Sequence, residues 1–183
     1  MSEETIIRLC SPTLAGIKTA NMFSCECGSR EELCREVRRF NARLGKKGLR
    51  VLPLSCKNGR ALIYIYRPKL LRRDLGGRQS AEMLKSEGYT CGNADVCVAE
   101  LVKRFRCCKD FPHEIGLFLG YPPEDVYGFI HHHSEGCKCV GCWKVYGDEE
   151  AARATFARYE RCTEQYMRQF KSGRSVESLA VMI

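Results

Sequence analysis

The chain is 183 residues long, 44% hydrophobic and 28% charged, which suits one soluble domain with a genuine core and leaves too little for two. Its net charge of +8 admits an anionic partner, while its longest apolar runs, such as ALIYIY at 61–66, are far too short to span a bilayer, so no membrane role is expected. The N-terminus lacks the basic start and apolar run of a secretory signal, and thirteen cysteines, an odd number, exclude complete internal disulfide pairing; both features point to a reducing, cytoplasmic setting.

Ser11-Pro12 reads as an N-cap with proline at the first helical position, predicting a short helix that ends near Phe23 and turns Leu14 and Ile17 inward. Cys25 and Cys27 then fall in a connector. Ser29 and Glu32 form a capping-box pattern, and Leu33, Val37, Phe40 and Leu44 give the next helix one apolar stripe, with arginines outside and Gly45 and Gly48 as its stop. GLRVLPLSC and RALIYIYRP flank Lys57-Asn58-Gly59, so residues 49–67 are predicted to form a β-hairpin. Its second strand is apolar on both faces and is expected to be central and covered on both sides; Pro53 places the first nearer an edge.

Residues 78–87 and 94–106 carry helical patterns, the second through Val98, Leu101, Val102 and Phe105. A helical hairpin follows at 111–133, WKVY at 143–146 supplies a third strand, and Asp148 caps a long helix on which Phe156, Tyr159, Thr163, Tyr166 and Phe170 recur at helical spacing. The tail, 172–183, is weakly specified and expected to be loosely ordered. The expected fold is therefore α+β and mostly helical: a single domain over residues 1–171 around a small antiparallel sheet built from the 49–67 hairpin and the 143–146 strand.

The 111–133 hairpin has the spacing of a helix-turn-helix, yet Glu124 and Asp125 occupy the positions that would lie nearest base edges, where they oppose phosphate binding and suit the helix dipole. A structural hairpin is the preferred reading. Asp110 can cap a helix begun by Pro112, leaving His113 and Glu114 in its first turn, where the dipole holds the histidine neutral. Gly116 within that helix suggests close approach of another backbone or a ligand.

The PHEIG of residues 112–116 and the LGYP of residues 119–122 resemble the two signature motifs of a bacterial family of unknown function, the similarity running from the cysteine-proline opening at Cys10 to about Tyr166. The resemblance implies a shared single-domain fold and draws attention to His113, Glu114 and Tyr121 as candidate catalytic residues; it implies no reaction and no cofactor.

Residues 131–142 gather three histidines and three cysteines in a glycine-punctuated loop. Cys139 and Cys142 have the spacing that lets two thiolates meet one ion, with Cys137 upstream and His133 as a fourth donor, a set suited to zinc or an iron-sulfur cluster. Any second knuckle has to come from Cys25 and Cys27 or from Cys107 and Cys108; Cys10, Cys34, Cys56, Cys91, Cys97 and Cys162 read as core residues. Basic residues cluster at Arg35, Arg38, Arg39, Arg43, Lys46, Lys47 and Arg50, then at Arg67, Lys69, Arg72 and Arg73, then at Lys103, Arg104, Arg106 and Lys109.

The leading expectation is a metal-binding or thiol-based accessory protein using the Cys137, Cys139, Cys142 and His133 loop. Two alternatives stand beside it: a basic adaptor for nucleic acid or an acidic protein, and a small-molecule enzyme at the PHEIG and LGYP turn.

Overall fold

The computed structural model describes residues 1–107, 110–133 and 135–183; Cys108, Lys109 and Ser134, named above in a candidate knuckle, a basic cluster and the histidine-cysteine loop, lie outside the described residues. The first helix begins much earlier than the Ser11-Pro12 pair suggests. Ser2 accepts from Thr5 N at 3.1 Å and caps α1 (Glu3–Leu14), whose first turn carries Glu3 and Glu4. Pro12 lies in the last turn of α1, and its carbonyl oxygen accepts from both Ile17 N and Lys18 N. The predicted helix reaching Phe23 is thus replaced by a turn and then by strand β1 (Ala20–Glu26), which places Cys25 in a strand and Cys27 just past its end.

The capping box forms in full: Glu32 N bonds the Ser29 hydroxyl at 3.1 Å and Ser29 N bonds the Glu32 carboxylate at 3.2 Å. It starts α2 (Arg30–Leu44), which buries Leu33, Val37, Phe40 and Leu44 and passes through a 3₁₀ turn (Gly45–Lys47) to Gly48. The hairpin of β2 (Arg50–Lys57) and β3 (Arg60–Tyr66) turns at Asn58 and Gly59, whose φ values of 51° and 71° are the left-handed pair such a turn requires. β3 is the central strand of the order β1-β3-β2, antiparallel to both neighbours, and the register of β2 slips between Pro53 and Ser55.

Both faces of β3 are covered, as its two-sided apolar pattern demands. Ala61, Ile63 and Ile65 join Ile6, Phe40 and Leu44 in one core. Leu62, Tyr64 and Tyr66 face a second core with Leu71, Leu101 and Phe118, from helices α3 (Pro68–Leu75), α5 (Ala94–Cys107) and α6 (Ile115–Phe118). The Tyr64 hydroxyl donates to Phe118 O at 2.6 Å and fixes α6 to the sheet.

Helix α4 (Arg78–Ser86) follows α3 after Gly76 and Gly77, and α7 (Pro123–His132) follows α6 through the LGYP turn. WKVY does form a strand, but not in the main sheet: β5 (Lys144–Val145) pairs with β4 (Cys139–Val140) in a two-stranded sheet of its own, and β1 is the third strand of the main one. Asp148 accepts from Ala151 N at 3.0 Å and caps α8 (Glu149–Lys171), which packs along α1. The tail expected to be loose instead carries α9 (Val176–Leu179), burying Val176, Leu179 and Ala180 against the first core.

Candidate functional site

Four separated segments converge on one open pocket of about 750 Å³: the α1–β1 turn, the α3–α4 junction, the LGYP turn and the first turns of α8, with Trp143 on its wall. The LGYP turn can lie this close because Gly120 has φ +75°, and a Cβ there would meet Thr19 Cβ at 2.8 Å. Thr19 in turn donates its hydroxyl to Asp74, whose second oxygen accepts from Arg73 Nε at 2.8 Å.

Lys18 lines this pocket and is only 6% exposed. Its ammonium lies 5.3 Å from the ring centre of Tyr121 and 5.7 Å from that of Tyr159; among the described residues no carboxylate and no hydrogen-bond acceptor engages it. Burial pushes its pKa below the usual lysine value. The groups whose charge would oppose that shift are the thiols of Cys142 and Cys10, but burial raises both, Cys10 up to about 12, so each is protonated at neutral pH. Lys18 is therefore a buried cation with aromatic walls and no counter-ion among the described residues.

Of the four acids lining the pocket, three are committed and the fourth, Glu124, is exposed. Asp74 is bound as described, Asp148 caps α8, and Asp125 accepts from Trp143 Nε1 at 2.7 Å, Tyr146 N at 2.7 Å and Gly147 N at 2.8 Å. Arg73, Arg78 and Arg158 also line the pocket, Arg73 paired with Asp74 and Arg78 with Glu82. The first turn of α4 also lines it, through Gly77, Arg78, Gln79 and Ser80, and Gly77 at the N-cap supplies no side-chain acceptor for the amides of that turn.

Of the predicted site residues, Tyr121 belongs to this pocket: its ring stacks on Trp143 with centroids 4.8 Å apart, its hydroxyl donates to Cys142 O at 3.1 Å, and burial raises its pKa. His113 and Glu114 do not. The expected helix from Pro112 begins only at Ile115, without a side-chain cap, so Asp110 does not serve as one. Glu114 is buried and accepts from Tyr89 at 2.8 Å and Arg104 at 3.3 Å, a structural ion pair. His113 is exposed and lines a separate apolar cavity of about 300 Å³ with Phe129, its ring 5.1 Å from that of Phe129. Gly116 is required for close approach, since a Cβ there would meet Val126 Cγ2 at 2.7 Å.

The loop thiols each have a different electrostatic neighbour. Cys137 acts electrostatically on Tyr146, Cys139 on Arg153 and Cys142 on Lys18, while the ring of His133 faces those of Phe129 and His113 at 6.3 and 6.5 Å. Among the described residues no three His, Cys, Asp or Glu side chains are placed to hold one metal ion. Cys56 and Cys91, read as core residues, are exposed. The reading of the hairpin as structural is supported by Asp125, which is 3% exposed and holds its own β5 segment rather than facing outward.

The basic clusters are partly internal. Arg67 is fully buried and donates to Thr13 O, Leu14 O, Lys47 O and Val181 O at 2.6 to 3.0 Å, and Arg43 is paired with Glu3 and Glu177. Sequence reasoning missed Lys18, Trp143 and Arg158; the one available signal was a lysine inside the apolar stretch LAGIKTANMF.

Fold and pocket together define a small α+β protein with a cation-lined cavity behind its LGYP turn. The chain belongs to the family described as Protein of unknown function (DUF3793), whose model matches residues 6–180. No curated protein and no solved structure matches it.

Proposed function

We propose that the pocket behind the LGYP turn binds a small organic anion of the phosphate-ester class, with Lys18 as its central cation. The observation that carries the reading is the ammonium of Lys18, buried on the pocket wall without an acceptor among the described residues. An uncompensated buried charge costs a fold several kcal/mol, so its retention is accounted for by an anion that binds there. The donors support a tetrahedral oxyanion: an uncapped helix N-terminus and the lining arginines can meet it from several sides. The stacked rings of Tyr121 and Trp143 offer a flat surface for the rest of the ligand.

This reading keeps the small-molecule alternative at the LGYP turn and moves its centre from His113 to Lys18, without assigning a reaction. Trp143 is the only tryptophan and lines the pocket, so its fluorescence reports occupancy. Titration with inorganic phosphate, pyrophosphate, sugar phosphates and nucleoside monophosphates at low salt is expected to give a saturable change with at least one phosphate ester, weakened about tenfold or more by Lys18→Met. No saturable response to any of them at millimolar concentration, or undiminished binding by the variant, would overturn the proposal.

A further inference from the structure

We infer that Cys27 and Cys56 form a reversible dithiol–disulfide centre, oxidised by small disulfides of the cysteinyl-peptide class. Cys56 lies near the end of β2, opposite Ala61 of β3, and Cys27 follows β1 directly. The N–H of Cys27 bonds Gly59 O at 2.9 Å, folding the end of β1 over the tip of the β2–β3 hairpin. That fold brings the two Sγ atoms to 3.3 Å. A disulfide has its sulfurs about 2 Å apart, so closure asks for an approach of little more than about 1 Å, within reach of side-chain rotation at the open edge of a sheet.

Access sets this pair apart from the other thiols that pack inside. Cys10 and Cys97 are buried, whereas Cys56 is exposed and Cys27 half-buried. Beside the pair, Cys27 lines a cleft of about 390 Å³ whose wall carries Arg35, Arg39 and Glu26, together with Glu36 paired to the N-terminal ammonium at 2.6 Å and Glu32 of the capping box. Charges of both signs match a peptide that bears an ammonium and carboxylates better than they match a neutral disulfide.

The exchange balances without any further co-reactant. Cys56, the more exposed, gives its proton to solvent and its thiolate attacks one sulfur of the incoming disulfide, releasing the first half of that molecule as a thiolate. Cys27, whose thiol is hydrogen-bonded to Cys56 and held above the usual thiol range by that bond and by burial, loses its proton as it attacks Cys56 Sγ and expels the second half. The chain gives up two electrons and two protons, and the small disulfide takes them up as two thiols. The product ties the end of β1 to β2 across the hairpin and closes a loop that contains α2. Nothing in this exchange depends on the Lys18 pocket.

The test equilibrates the reduced full-length chain with mixtures of reduced and oxidised glutathione, traps remaining thiols by alkylation, and maps linked peptides by mass spectrometry. A Cys27–Cys56 peptide is expected to accumulate first and to revert on reduction. The oxidised chain is expected to melt about 5–10 °C higher than the reduced one, a difference absent in Cys27→Ser and in Cys56→Ser. Oxidised glutathione is expected to close the bond faster than 2-hydroxyethyl disulfide at equal concentration, and less so as salt is added. The dithiol assignment is overturned if 27–56 is no more abundant than links among the other cysteines, Cys25 with Cys56 included. Equal rates with the two oxidants would overturn the peptide-disulfide assignment.

Discussion

Lys18 and Arg67 are both buried cations, and what they touch separates their roles. Arg67 hands its donors to four carbonyl oxygens and so belongs to the architecture, whereas Lys18 meets two aromatic faces and two protonated thiols. A charge held without an acceptor lowers stability, and removing it should raise stability. Lys18→Met is expected to unfold in urea at a higher midpoint, more stable by about 0.5–2 kcal/mol, even as it loses the anion response. The pH dependence has a definite sign. The folded-state pKa of Lys18 lies below the ordinary value of 10.5, so between the two the unfolded chain binds the extra proton and parent stability rises with pH. The gap between parent and variant is therefore full below the folded-state pKa and narrows as pH rises from there toward 10.5. A variant no more stable than the parent at neutral pH would show that the ammonium is compensated within the fold.

At the level of elements, the LGYP turn, α7 and the β4–β5 hairpin form one unit pinned by Asp125. Its carboxylate takes one indole and two backbone N–H groups from the hairpin, which sets Trp143 against Tyr121 and so shapes the pocket wall. Asp125→Ala leaves three donors without their acceptor and should cost about 2–4 kcal/mol in a urea melt, with the fluorescence of Trp143 shifted to the red in the native baseline. Unchanged emission would show that the hairpin holds its place without the carboxylate. What was legible in the sequence follows the same division between local and distant causes. The Ser29–Glu32 capping box, the Asn58-Gly59 turn and the two-sided strand β3 were readable because each signal lies within a few residues of its effect. Strand β1 was not, since Ser11-Pro12 imitates a helix start while ending one, and the true cap at Ser2 followed by Glu3 and Glu4 was passed over. The loop cysteines read as one ligand set because spacing records proximity along the chain, and the sequence carries no signal for the β4–β5 pairing or for the separate charges each thiol acts on. Tyr121 could be singled out from its motif; Lys18 could not, because its isolation from acids depends on residues from four distant segments.

Over the whole molecule, the C-terminal segment closes the first core. Val176, Leu179 and Ala180 are buried there, Val181 N bonds Leu14 O at 3.0 Å, and Val181 O is one of the four acceptors of Arg67. Removing residues 174–183 would expose that core and leave part of a buried guanidinium unsatisfied, a loss of about 4 kcal/mol or more. A truncated chain that unfolds at the parent's urea midpoint would show that this segment adds nothing to stability. Within the same clasp, Arg43 pairs with Glu177 and holds its carboxyl down at about 2, against an ordinary 4.5. A depressed carboxyl pKa contributes stability that is complete above 4.5 and is lost as pH falls from there toward 2. Both side chains keep 28 to 29% of their surface in water, so screening limits the contribution to about 1 kcal/mol. Glu177→Gln is therefore expected to be less stable than the parent by about that amount at pH 7 and to converge with it across the acid range, while Lys18→Met keeps its advantage there because its ammonium stays charged. Opposite behaviour of the two variants with pH, read from urea midpoints, separates a charge the fold uses for its own closure from one whose burial the fold leaves uncompensated.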